Sequence, residues 1–489
     1  MKLPNNNFKS DESFLEKLAV GAAGVIATMD SLVKLGYLPI ELERGSSGYK
    51  IWKRIKIKRV RVPDILCLRS GVRFESRGKT KLEISMSHSL KDPNRAWDAG
   101  LRSDDLVSFV QFEKANNTPV EWVVASPVHF VRVEDMKEAF SKELIRISTP
   151  KGVEEGSEIR VIWPCTVANE DSIVTEINEK SIILTYVSKP GQQRCILTRK
   201  KFSLVPQCKP GQLIKKNQII ASTVPILLEP ICKLEVQESY FRERLTSVSL
   251  SERYASAKAL RFRGYEDSFK TLYDRMVDPE EDIYVQLEAA AALAAQNDKS
   301  GWDFLSDSLN SPYLTVQLET VIVLSEISDI KSESLLIQVL TDSARESEIR
   351  AGAAWSLGNF KSQKAANSLI NTFNLANNEI KVEAARALLR IAPSLVHFLE
   401  DSIKKTNIEN RDGIAWTMAR LEGLDLLELL EDSSDHNLRI WTSYIAGYGK
   451  DHFTEEQISE LCVNDPEVYF AASVLWQVLS SWIYELGEY

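Results

Sequence analysis

The sequence predicts a multidomain protein: an N-terminal α/β domain, a small all-β barrel or sandwich, and a C-terminal all-α solenoid. Three observations predict it. Helical and strand-like segments alternate up to about residue 144. Short apolar runs punctuated by Pro and Gly follow, from about 156 to 225. From about residue 250 the chain repeats itself. The boundaries this sets are 1–148, 149–235 and 250–489. A length of 489 residues suits two to four domains.

Phe14–Gly36 reads as a helix. Ser10, Asp11 and Ser13 offer N-caps, and Gly36 is a C-terminal stop. Leu15, Leu18, Ala22, Val25, Met29, Leu32 and Val33 form its apolar stripe. Ile55–Lys58 alternates like a half-buried strand, then the apolar phase shifts to Val60 and Val62, as across a bulge at Lys58-Arg59. Ser70-Gly71 marks a hairpin turn, and Gly78 the end of the next strand. KLEISMS is a further strand. Ser103–Lys114 is expected as a helix, Val120–Ser126 as a very apolar strand and Val133–Leu144 as a helix. That order suggests a central sheet flanked by helices.

In the middle region, Val161–Cys165, Ile173–Ile177, Ser181–Val187 and Arg194–Thr198 are short strands at close intervals. The run CKPGQLIKKNQIIASTVP resembles the barrel-sandwich hybrid element of RNA polymerase large subunits and of biotinyl or lipoyl carriers. Gly211, Ile214, Lys215, Lys216, Ile219, Ile220 and Ala221 fit that pattern, and Asn217 stands where glycine is usual. The resemblance implies the fold and no prosthetic group.

The repeats align on Val285, Val316, Ile349, Ile380, Arg411, Leu438 and Val468, at spacings of 31, 33, 31, 31, 27 and 30. Each unit carries an apolar helix rich in small residues, with Ala289, Ala353, Ala384 and Ala415 allowing close helix approach. The array resembles HEAT repeats of the short type found in phycobilin lyases and alkylpurine glycosylases. Such units stack helix pairs into a curved binding surface. Trp355, Trp416, Trp441 and Trp476 recur near one helical phase, as core residues would.

The net charge of −9 conceals a polarity. Residues 1–100 hold nineteen Lys/Arg against eleven Asp/Glu, a balance of +8, and 401–489 hold six against seventeen, a balance of −11. The basic end is the natural side to meet phosphate. Cys67, Cys165, Cys195, Cys208, Cys232 and Cys462 are scattered without CxxC, which argues against a zinc site or disulfide framework and fits a reducing cytoplasm. The polar start lacks a signal peptide's apolar core, and VGAAGVIATMDSLV is too short and interrupted to span a membrane. No phosphate-binding loop, GxSxG or HExxH occurs, so nothing points to an ATPase, serine hydrolase or zincin.

The chemistry-bearing stretch is RVPDILCLRSGVRFESRGK. Asp64 precedes Glu75 by eleven residues, and Arg77 and Lys79 follow at alternate positions, on one face of a strand. Two carboxylates and a cation at one point suit a divalent ion that activates water against phosphate. Lys50–Arg61 packs seven cations into twelve residues, so Lys53, Arg54, Lys56, Lys58, Arg59 and Arg61 would form a phosphate track. The pattern resembles the PD-(D/E)xK restriction-endonuclease-like nucleases. The resemblance implies that Asp64 and Glu75 hold Mg²⁺ or Mn²⁺ and that the lysine orients or activates water.

Arg77 stands where that lysine belongs, and arginine cannot act as a base; Lys79 would take its role. A second register makes Glu83 the second acid, with Ser85 at the lysine position. Glu41 and Glu43 are candidates for a further ligand. His88 reads as a hydrogen-bonded rather than a catalytic histidine. Arg95, Trp97, Arg102, Asp104 and Asp105 would begin a substrate-facing helix, or would cap and pair on the surface.

Two functions follow. One is a metal-dependent DNA endonuclease with repeats that dock DNA or protein, in genome defence or DNA processing; many nucleases of the fold it resembles dimerise, and the sequence leaves the oligomeric state open. The other is a non-enzymatic scaffold: the solenoid binds a protein and the N-terminal domain binds nucleic acid without cutting. A lyase or base-excision activity of the repeats lacks a placed acid-base residue.

Overall fold

The computed structural model describes residues 11–42, 60–114, 122–149, 158–198, 202–230, 235–375, 377–429, 435–449 and 453–475. The chain divides into two compact units; the first closes at Ala292 and the second opens at Leu293.

The first unit opens with helix α1 (Asp11–Lys34). Strands β1 (Pro39–Glu41), β2 (Ile65–Cys67), β3 (Arg73–Lys79), β5 (Leu106–Lys114) and β6 (Trp122–Val124) then form one sheet in that order, with β7 (His129–Arg132) also on β5. All neighbours are antiparallel except β3 and β5. The β2–β3 turn holds Gly71 at φ 68°, a left-handed conformation that glycine adopts without penalty.

The segment expected as the helix Ser103–Lys114 is the central strand β5. It is buried along LVSFVQF because neighbours cover both faces, so the two-residue alternation of a half-exposed strand is lost. Of the very apolar strand expected at Val120–Ser126, residues 120 and 121 lie outside the described residues and the strand covers Trp122–Val124, where Val123 and Val124 are exposed on an edge. Nor does Gly78 end its strand. β3 continues to Lys79, and Gly78 sits where α1 passes: a Cβ there would lie 2.1 Å from the Val20 carbonyl oxygen. Thr28 of α1 reaches the Ser76 and Ser108 hydroxyls at 3.3 and 2.9 Å. The predicted helical stripe is right at Val25 and Leu32, which are buried, whereas Val33 is exposed.

The flanking of that sheet also differs from expectation. β4 (Ile84–Ser89) leaves it and pairs with β9 (Glu158–Trp163), which pairs with β8 (Arg146–Ser148). This second sheet, the helix α2 (Val133–Ser141) and β5 share a core that includes Met86, Trp97, Phe109, Met136 and Trp163. The boundary expected at 148/149 therefore falls between two paired strands.

The β module follows, with β10 (Cys165–Val167), β11 (Ser172–Asn178), β12 (Ser181–Tyr186), β13 (Gln193–Leu197), β14 (Val205–Pro206), β15 (Leu213–Ile214) and β16 (Ile219–Ser222). They form sheets β13-β12-β11-β15 and β10-β16-β14 around Val174, Ile182, Leu184, Ile214 and Ile220. Asn217 has φ 60°, which explains glycine as the usual residue and asparagine as a tolerated one.

Helices α3 (Glu238–Arg244), α4 (Leu250–Arg263), α5 (Phe269–Val277) and α6 (Ile283–Ala295) begin the helical region. Within the first unit, α4 is tied to the N-terminal sheet: Tyr254 Oη donates to the Leu42 carbonyl (3.1 Å) and Arg263 to that of Leu68 (2.9 Å).

The second unit is all-helical among its described residues. Helices α8 (Leu314–Leu324), α10 (Ser347–Leu357), α12 (Asn378–Ile391), α14 (Arg411–Met418) and α16 (His436–Tyr448) pack each on the next. They alternate in sequence with α7 (Lys299–Ser308), α9 (Ile330–Thr341), α11 (Gln363–Ile370), α13 (Val396–Lys405), α15 (Leu426–Leu429) and α17 (Glu455–Asn464). Small residues carry the close approach: Ala353, Ala384 and Ala415 are fully buried, and a Cβ on Gly413 would meet the Phe373 ring at 2.3 Å.

Candidate functional site

Strand β3 turns Arg73, Glu75, Arg77 and Lys79 to one side while Phe74, Ser76 and Gly78 face the other. Arg73 is buried and holds Asp105 through two bonds, Nε–Oδ1 at 2.9 Å and Nη2–Oδ2 at 2.5 Å. It also donates to Ser251 Oγ (2.6 Å) and to the Gly100 carbonyl (3.2 Å). Arg102 completes the network through its backbone N–H on Asp105 Oδ2 (2.6 Å) and a salt bridge to Asp104 (3.1 Å). Arg102, Asp104 and Asp105 thus pair with each other and with the sheet, and the strand β5, not a substrate-facing helix, follows them. A buried pair of this kind is held by its partners; loss of one strands the other's charge.

Asp64 directly precedes β2. The register Ile65↔Phe74 and Leu66↔Arg73, continued one residue, sets it opposite Glu75. Its carboxylate is buried and accepts the Ser76 N–H at 2.7 Å. Glu75 is bridged by Arg77 at 2.5 Å, and Arg77 Nε also touches Met86 Sδ at 3.3 Å. Lys79 points onto β4, where its Nζ donates to the Ser85 carbonyl and hydroxyl, each at 3.0 Å. Burial, then repulsion from Arg77 and Arg160, pulls its pKa down to about 7. Of the alternative register, Glu83 faces Arg146 and Arg160 at 3.6 and 3.7 Å, and Ser85 is the acceptor for Lys79.

Glu41 ends β1 opposite Ile65. Glu43 and the track residues Lys53, Arg54, Lys56, Lys58 and Arg59 lie outside the described residues, whereas Arg61 is exposed. Among the described residues no group of three or more His, Cys, Asp or Glu side chains is placed to hold a metal ion.

The structure also assembles a cavity of about 310 Å³ that sequence reasoning did not foresee. Arg61, Glu75, Arg77, His88, Arg95, Trp97 and Glu158 are among the residues that line it; Asp64 and Lys79 are not. The β4–β9 register brings its far walls together, pairing Ser89 with Glu158 and His88 with Ile159. Arg95, at the end of a 3₁₀ turn capped by Asp92, bridges Glu158. His88 Nδ1 accepts the Trp97 backbone N–H at 3.2 Å, so its proton sits on Nε2.

In the second unit, Arg390 lies over the Trp355 ring at 5.0 Å, and Arg420 lies between Trp416 (3.9 Å) and Tyr448 (4.2 Å). Trp355 is a core residue as expected, but Trp416 and Trp441 are only half-buried, and Trp476 is outside the described residues.

Comparison with known families matches residues 302–388 to HEAT repeats, so the C-terminal region carries them. Comparison with curated proteins gives no match. Among solved structures, the complex of CpcE and CpcF of phycocyanin lyase from Nostoc sp. is similar at 16% identity and TM-score 0.25, over 49% of this chain and 95% of that one. Human deoxyhypusine hydroxylase is similar at 17% identity and TM-score 0.20, over 44% and 84%. An engineered protein is similar at 21% identity and TM-score 0.23, over 48% and 76%. Scores this low carry no functional weight. No described helix is long and apolar enough to cross a membrane.

Proposed function

We propose that the protein is a HEAT-repeat scaffold whose solenoid binds a protein partner, while its N-terminal domain engages nucleic acid without cutting it. The HEAT repeats of residues 302–388 carry this reading. Stacked helix pairs offer a long surface for a partner. Trp416, Arg420 and Tyr448 supply the aromatic and arginine chemistry that dominates binding energy at interfaces. The seven cations of Lys50–Arg61 support the nucleic-acid arm. Purification of the full chain from its native cell should bring down one stoichiometric protein partner, and Arg420→Glu should weaken that association at least ~10-fold. Absence of any stoichiometric partner would defeat the scaffold reading.

A second reading has its own support: the placement of Asp64 opposite Glu75, with a lysine of depressed pKa on the same strand face. In it, the first domain is restriction-endonuclease-like and hydrolyses phosphodiesters of DNA. Asp64 and Glu75 would be the protein's share of an oxygen ligand set for Mg²⁺ or Mn²⁺, a number that suits Mg²⁺ with water and phosphate completing it. Such an ion lowers the pKa of bound water and neutralises phosphate charge. Arg77 would clamp phosphate and Lys79 would orient the water. Ser76 N–H and Arg77 already hold the two carboxylates, so both would have to share those bonds with an ion. Plasmid and single-stranded DNA, incubated with Mg²⁺ or Mn²⁺, should be cut by the native chain and not by Asp64→Ala. Equal cutting by both, or none by either, removes this reading.

A further inference from the structure

The cavity between β3, β4 and the 3₁₀ turn has no part in the scaffold reading. We infer that it is a binding site for a small phosphate monoester. Its size of about 310 Å³ lies at the low end of small-ligand pockets. Three arginines line it: Arg61 ahead of β2, Arg77 from β3 and Arg95 from the turn after β4. Glu75 fixes Arg77 and Glu158 fixes Arg95, so both forks are preorganised rather than free to wander. His88 adds an N–H donor whose tautomer is set by the Trp97 backbone. Its ring is braced by Phe140 at 6.3 Å, and Trp97 is braced by Trp163 at 5.0 Å, so this wall is rigid.

The donor set selects the ligand. Planar guanidinium forks match phosphate oxygens two at a time. A monoester offers three terminal oxygens and a charge of about −1.5 to −2 at neutral pH, whereas a diester offers two and a single charge. Three arginines against two carboxylates leave a surplus of one positive charge, which favours an anion. Glu75 and Glu158 at the walls then stand where hydroxyls of a sugar-like body would donate.

Titration calorimetry and thermal shift on the full chain test this with inorganic phosphate, ribose 5-phosphate, dimethyl phosphate, sulfate and a single-stranded DNA oligonucleotide. Ribose 5-phosphate should bind most tightly, inorganic phosphate and sulfate, which lack the sugar body, more weakly and alike, and dimethyl phosphate least. Arg95→Gln and Arg61→Gln, both exposed and therefore expected to fold, should each weaken ribose 5-phosphate on the order of 10-fold. No binding of either phosphate ligand overturns the inference. So does an affinity for ribose 5-phosphate equal to that for sulfate, or one that both variants leave unchanged. Binding of the oligonucleotide alone overturns it too and assigns the arginines to a nucleic-acid surface. A chain that lacks a protein partner yet binds ribose 5-phosphate would end the scaffold reading and leave this one standing.

Discussion

His129 shows how one residue is set by its surroundings. It is fully buried on β7, and its Nε2 accepts the Ile219 backbone N–H of β16 at 3.0 Å. Burial disfavours the imidazolium and pulls its pKa from 6.5 down to about 4. The neutral ring therefore joins the N-terminal sheet to the β module. Above pH 6.5 its contribution is complete. As pH falls from 6.5 towards 4 the unfolded chain takes up a proton that the folded chain refuses, and stability drops by up to about 3 kcal/mol. Denaturant titrations across that range should show the slope, and His129→Gln should flatten it. The same scale governs β3. Lys79 falls on the predicted strand face, and the Ser85 carbonyl and hydroxyl of β4 hold its amine.

Among the elements, α1 on β3 depends on missing side chains. Gly24 and Gly78 let the two backbones meet: a Cβ on Gly24 would lie 2.8 Å from the Gly78 nitrogen. Neither neighbour is a flexible side-chain end, so relief requires the helix to move. Gly78→Ala should cost about 2 kcal/mol or more of the first unit's stability, measured by denaturant midpoint. Sequence reasoning took Gly78 for a strand end because glycine usually punctuates. Its real cause, a helix crossing from more than fifty residues earlier, is not a local signal. β5 was misread for a related reason. A strand covered on both faces shows neither the two-residue period nor the helical one, and Leu106–Lys114 is long enough to pass for a helix turned wholly inward.

For the whole molecule, a division into two compact units predicts two unfolding transitions. Calorimetry of the full chain should resolve them. Gly78→Ala should lower one, and Ala353→Leu, which crowds the fully buried contact of α10 with its neighbours, should lower the other. A single transition moved equally by both substitutions would contradict this division.

By itself the sequence determined what recurs or is local. The repeats were legible because each unit carries the same small and apolar positions near a 31-residue spacing, and stacking demands them every time. The hairpin of β2 and β3 was legible because its turn and its alternation lie within sixteen residues. Tertiary structure alone decided which charges meet. Glu158 reaches Arg95, and Ser251 reaches Arg73, only because β4 leaves the first sheet for β9 and α4 docks on β3. Those pairings depend on strand exchange and helix docking across 63 and 178 residues of chain. Hydrophobic burial chooses such contacts; the charged residues are then carried into place with them.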